Sequence, residues 1–174
     1  MADGVLMNER IEMAHERLNN ARWTLERQLA WIASADIKVG LVFTLNIAML
    51  GGLGAAYTAS AEKSAWVNVM AVGYGLCAFG ALLCSAKVLM PYLSGPRAAS
   101  LVFFCRISER SCEDYVDAYS KTTNDEFLND IATQIHRNAE IATQKYGSVG
   151  KAILFTVLGA APWVTAIAIL VMPK

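Results

Sequence analysis

From Val39 to Ala61 the chain runs for 23 residues without a single Asp, Glu, Lys, Arg or His. Wound as an α-helix rising ~1.5 Å per residue, that stretch is ~34 Å long, enough to cross the ~30 Å hydrocarbon core of a bilayer. Ser64–Ala86 repeats the pattern with 23 uncharged residues, and Ala152–Pro173 adds 22. The overall make-up, 55% hydrophobic and 17% charged, owes its excess of apolar residues to these three blocks. Apolarity gathered into lipid-length segments is the mark of membrane spans, whereas one large soluble core would spread it along the chain. The sequence therefore predicts an all-α membrane protein. Its parts would be an N-terminal amphipathic helix (1–38), transmembrane helices at 39–61, 64–86 and 152–173, and a cytoplasmic helical region (87–151) between spans two and three.

Orientation follows from the placement of Lys and Arg, which accumulate on the cytoplasmic side. Residues 1–38 carry five (Arg10, Arg17, Arg22, Arg27, Lys38) and 87–151 carry eight, against Lys63 alone in the first connector and Lys174 alone in the tail. This puts the N-terminus and the 87–151 segment in the cytoplasm, and an odd number of spans puts the C-terminus outside. Because the first 38 residues are polar and charged, no cleavable signal peptide is expected ahead of the first span. A formal net charge of zero offers no global field for nucleic acid. Cys77 and Cys84 share a face of the second span, and Cys105 and Cys112 fall in the cytoplasmic segment. Without a CxxC or Cys/His pairing they read as reduced packing residues rather than disulfides or zinc ligands.

Taken in order, the first helix places Ile11, Leu18, Leu25 and Ile32 at seven-residue intervals, with Ala14, Ala21 and Gln28 between them. Such a stripe packs against another helix or lies on the membrane surface; its mixed charges disfavour the second. Asn46, inside the first span, is expected to hydrogen-bond a neighbouring helix, with a pore-lining role as the sharper alternative. Ala48, Gly52 and Ala56 make a smooth strip for close helix approach and self-association, and Ala71, Gly75 and Gly80 continue the theme in the second span. Tyr57, Trp66 and Tyr92 are placed as interfacial aromatics. The prolines and glycine of Pro91–Pro96 turn the chain away from the bilayer. After the short apolar run from Ser100 to Ile107 comes a charged helical stretch, Glu109–Lys121. Thr123 and Glu126 form a capping box for the next helix, which continues past Gly147 and Gly150 into the third span and is kinked at Pro162.

No nucleophile elbow, zinc-protease helix or dinucleotide fingerprint is present. Tyr146–Ala152 resembles a phosphate loop only superficially, since Lys145 stands at the leading glycine position and Ala152 where a Ser or Thr should hold magnesium. His15 and His136 lack a nucleophile partner. No metal, cofactor or enzymatic activity is expected.

The motif Trp31-xxxx-Asp36-x-Lys38 leading into a transmembrane helix resembles the opening signature of the transmembrane Pycsar effector family. Phe103-Phe104-xx-Ile107 resembles the family's second signature. Asp130-xxx-Gln134-Ile135-xx-Asn138-xx-Ile141-xxx-Lys145-Tyr146 resembles the third. They occur in the family's order, and coverage runs from about residue 25 to about 170. The resemblance implies a non-enzymatic bacterial antiphage effector in the inner membrane. A partner pyrimidine cyclase would make cyclic CMP or cyclic UMP, and the effector, expected to be a homo-oligomer, would respond by impairing the bilayer in an abortive infection. With no room for a separate β-roll nucleotide-binding domain, the ligand site would be built from the helices.

A cyclic mononucleotide needs a cation for its phosphate, a ring for its base and hydrogen-bonding groups for base edge and ribose. The motif residues offer Lys38, Arg106 or Lys145 as the cation and Trp31, Phe103, Phe104 or Tyr146 as the ring. Asp36, Asp130, Gln134 and Asn138 offer the hydrogen bonds. The same residues also fit a structural reading, with Trp31 and Tyr146 as interfacial anchors, Phe103 and Phe104 as core, and Asp36 and Lys145 as an interhelical ion pair. A membrane scaffold that holds a protein partner through its cytoplasmic helices is the alternative function.

Overall fold

A computed structural model of the chain describes residues 2–61, 63–90 and 100–172. The Pro91–Pro96 turn, the anchoring role of Tyr92, and the last residues of the third span with Lys174 lie outside the described residues. Among the described residues five helices follow in order: α1 (Ala2–Ala59), α2 (Ala65–Leu89), α3 (Phe104–Ser108), α4 (Cys112–Lys121) and α5 (Asn124–Val171). No strand occurs among the described residues. Three of the helices, α1, α2 and α5, are long and apolar enough to cross a membrane. The chain divides into two units, Met1–Ala33 with Tyr92–Thr143 and Ser34–Pro91 with Gln144–Lys174.

The second unit holds the apolar parts of α1, α2 and α5. Its core is thin. Ala35, Val39, Val88 and Val149 form one buried cluster with Tyr146 against it, and Leu53, Tyr74, Ala78 and Ala166 form another with Met49, Met70 and Trp163 packed around it. Large apolar residues on the other faces stay open, Leu41 and Leu76 each at 69% exposure. A water-soluble domain does not leave so much contiguous apolar surface uncovered, and lipid is the solvent that this surface suits.

Small residues determine where the helices come close. A Cβ on Gly159 of α5 would stand 3.0 Å from the Cβ of Cys77 and 3.2 Å from the Tyr74 ring, and one on Gly80 of α2 would stand 3.2 Å from the Phe155 ring. The tight approach is thus between α2 and α5. The strip anticipated on α1 is used less: Ala48 and Gly52 are exposed, and a Cβ on Gly52 would meet only Trp163, at 3.9 Å. The difference lies in α5, whose Gly159 offers a deeper notch than anything on α1. Cys77 and Cys84 are half-buried free thiols. Near the α1–α2 connector the Tyr57 hydroxyl donates to Asn68 Oδ1 (2.9 Å) and Lys63 lies over the Tyr57 ring (5.0 Å), while Trp66 is exposed.

In the first unit the α1 stripe is half-buried from Leu18 through Ala21, Leu25 and Gln28 to Ile32, whereas Ile11 is largely exposed. Helix α4 starts at Cys112 rather than Glu109, because Ser111 caps it by accepting from the Asp114 amide (3.1 Å). The capping box opens α5: the Thr123 amide donates to Glu126 Oε2 (2.8 Å) and the Glu126 amide to Thr123 Oγ1 (3.3 Å). Those contacts, the Thr123 amide first and its hydroxyl second, hold the Glu126 carboxyl below the usual glutamate range. Pro162 lies inside α5, and residues 146–152, the apparent phosphate loop, are uninterrupted helix.

Candidate functional site

The sequence candidates fall into two groups, one in each unit. In the second unit Lys145 of α5 is buried at 8% exposure, too long and too charged to sit there without a partner. Its Nζ donates to Asp36 Oδ1 of α1 at 2.5 Å. Two residues further along α1 and one further along α5, Lys38 Nζ lies 5.0 Å from the centroid of the Tyr146 ring, a cation–π contact. Beneath both pairs is the Ala35, Val39, Val88 and Val149 cluster, on which Tyr146 packs. Four motif residues therefore meet at the charged end of the apolar segments, and Lys38 alone among them is exposed.

In the first unit Asp130 and Gln134 sit one turn apart on α5 and both turn to Ser100. The Ser100 hydroxyl, 1% exposed, donates to the Asp130 carboxylate (2.7 Å to Oδ1), and the Leu101 amide donates to Oδ2 (2.7 Å). Ser100 Oγ in turn accepts from the amides of Val102 (3.1 Å) and Phe103 (2.9 Å) and from Gln134 Nε2 (3.4 Å). Tyr115 of α4 adds a bond from its hydroxyl to Leu101 O (3.2 Å). This cluster shapes the turn that delivers Phe103 and Phe104 to α3, so Asp130 and Gln134 act on the second motif by positioning its backbone. The two rings stand 5.1 Å apart, Phe103 half-buried and Phe104 63% exposed. Asp130 also lines a cavity of about 160 Å³ with Arg110 and Phe127.

Arg106 pairs with Glu109 (2.6 Å), so its charge is balanced locally. Trp31 is 47% exposed and Asn138 half-buried, and neither joins the other candidates through a hydrogen bond or ring contact among the described residues. Arg137 donates to Glu140 (2.8 Å), and that bond holds the Glu140 carboxyl below its usual range. His15 and His136 are exposed, and among the described residues no cluster of His, Cys, Asp and Glu could hold a metal.

Two features escape the motif reading. Ser100 is one; its only signal is a serine three residues before an aromatic pair, where a hydroxyl can cap the coming turn. The other is a groove of about 280 Å³ lined by Arg10 and Arg17 of α1 and by Asn124 and Asp125 at the start of α5, with Met13, Leu18 and Leu128 as its apolar part.

The Pycsar effector protein domain family matches residues 20–172 of the chain. No curated protein and no solved structure matches it.

Proposed function

The chain belongs to the Pycsar effector protein family and is an antiphage defence effector, and on that premise we propose that it answers a cyclic pyrimidine mononucleotide by impairing the inner membrane. The signal is cyclic CMP or cyclic UMP from a partner pyrimidine cyclase. Residues 39–61, 64–86 and 152–173 are the spans, the N-terminus and the 87–151 region are cytoplasmic, and copies of the chain associate. The observation that carries this reading is the coincidence of the family match over residues 20–172 with three helices long and apolar enough to cross a bilayer. A receptor whose output is the membrane needs both.

The contacts of the second unit support a mechanism. Asp36 and Lys145 tie α1 to α5 where their apolar segments begin. Beside that tie, Lys38 over Tyr146 offers a mobile cation and an aromatic face. A cyclic nucleotide draws Lys38 to its phosphate, and its base replaces the ammonium on the ring, a stacking contact of ~1–3 kcal/mol. A ligand shifts an equilibrium only through unequal affinity for two arrangements. Here the favoured arrangement is the one in which Lys38 has left Tyr146 and the neighbouring Asp36–Lys145 tie is loosened. The remaining motif residues, Trp31, Phe103, Phe104, Arg106, Asp130, Gln134 and Asn138, complete the response in the first unit, Asp130 and Gln134 as positioning residues.

Purified full-length protein in dye-loaded liposomes tests the reading. Cyclic CMP or cyclic UMP is expected to release dye from wild-type vesicles and to fail with K38Q or Y146A, both still inserted. Equal leakage with and without either nucleotide would overturn it.

A further inference from the structure

Asn46 lies on α1 eight residues past Lys38, about 12 Å into the apolar segment. Its side chain is fully buried, at 0% exposure. Both amide hydrogens are engaged: Nδ2 donates to Val42 O (2.8 Å) on its own helix and to Thr156 Oγ1 (2.8 Å) on α5. The carbonyl is another matter. Oδ1 accepts no hydrogen bond from the protein, and it is the one buried side-chain polar atom among the described residues in that position.

The surroundings explain why no side chain serves it. The Thr156 hydroxyl directs its proton to Ala152 O (2.9 Å). The Tyr74 hydroxyl of α2 directs its own to the backbone carbonyl of Asn46 (3.3 Å). Trp163 Nε1 is taken by Met49 O (2.8 Å). The hydroxyls of Thr156 and Tyr74 and the Trp163 indole are thus each committed to a main-chain carbonyl. Turning the amide over does not help: oxygen would then face the Val42 carbonyl, and two N–H groups would lose their acceptors. Pairing α1 with α5 needs only Nδ2, so it accounts for half of this side chain. An unmet buried carbonyl costs about 1–3 kcal/mol, and lipid around the bundle offers nothing to relieve it.

We propose that Asn46 Oδ1 binds a water molecule at the junction of α1, α2 and α5. The water donates one hydrogen to Oδ1. Tyr74 Oη or Thr156 Oγ1, each keeping a lone pair, accepts the other, which gives the two polar partners that an internal water requires. The ligand class is a small neutral hydrogen-bond donor, and water is the one that reaches a bundle of apolar helices. The site makes the amide a hydrated point inside an otherwise dry segment. It goes beyond the nucleotide reading and does not depend on it.

The test uses the full-length chain, labelled with ¹⁵N-asparagine, in lipid nanodiscs without any nucleotide. Magnetisation transfer from water to the Asn46 side-chain amide is measured, the signal being assigned by its loss in N46L. Asn8, whose side chain is exposed, is the reference. Transfer at Asn46 within about tenfold of that at Asn8 is expected for a resident water. No transfer at Asn46 while Asn8 gives its full signal would overturn the proposal. Unfolding of the same two proteins in detergent gives a second reading. N46L displaces the water together with the bonds it completes and is expected to leave stability unchanged or lower; a more stable N46L would mean that Oδ1 is unsolvated, and would also overturn it.

Discussion

Replacing Asp36 by Asn preserves shape and removes charge, and the consequence falls on Lys145. The Lys145 side chain is 9% exposed, against 39% for Asp36, and the two meet at 2.5 Å. Stranding one member of a buried ion pair costs about 3–5 kcal/mol, but water reaches the Asp36 side of this one, so ~2 kcal/mol is expected for D36N. The reverse removal is gentler. K145M keeps most of the volume of the lysine stem, buries no charge, and leaves an aspartate that solvent already touches, for about 0–1 kcal/mol. The double variant D36N/K145M no longer contains a stranded ammonium and should resemble K145M, giving a coupling of ~1.5–2 kcal/mol. The measurement is a double-mutant cycle on reversible unfolding in mixed micelles, followed by tryptophan fluorescence. If K145M proved as damaging as D36N, or if the two losses simply added, the burial asymmetry would not be what governs this pair.

Two further outcomes follow from the same geometry. G159A should destabilise the α2–α5 contact by about 1–3 kcal/mol, since its methyl would press on Cys77 and Tyr74, while G150A, with nothing within 4 Å of the new Cβ, should be neutral or gain up to about 1 kcal/mol of helix propensity; unfolding of the two variants in parallel checks the contrast. The capping box at the start of α5 sets a pH dependence: with the folded Glu126 carboxyl held below its ordinary 4.5, its contribution is full above that value and fades as pH falls through the lower folded one. Amide protection in the first turn of α5, taken relative to the intrinsic exchange rate at each pH, should therefore fall on acidification below about that range in wild type and stay constant in E126Q.

Much of this architecture can be read without coordinates. Uncharged runs of lipid length announce α1, α2 and α5 because a helix in hydrocarbon tolerates few other residues. Thr123 and Glu126 announce the start of α5 because a capping box is a contact over three residues, wholly local. Asp36 and Lys145 were legible as an ion pair, and Asn46 as a helix-pairing residue, because charge and amide groups near lipid must find partners. Which partner is a different question. Thr156 as the acceptor for Asn46, or Gly159 as the notch that seats α2, depends on the rotation of α5 about its axis, which periodicity does not report. Ser100 was missed for a related reason: four hydrogen-bonding neighbours converge on one hydroxyl only after Asp130 and Gln134 have been brought to it across some thirty residues of chain. Motif membership marks Asp130 and Gln134 without saying that they serve a turn.

Pro162 has no amide hydrogen to offer Leu158, so α5 lacks one rung of its ladder within its apolar half. The residue after Leu158 is Gly159, the point at which α5 is gripped most closely, and a Cβ on Gly73 of α2 would stand 3.9 Å from the Pro162 ring. The rod is therefore weakest where the neighbouring helix braces it. Stiffness there is borrowed from α2, and any event that draws the two helices apart hands α5 a joint it did not previously have.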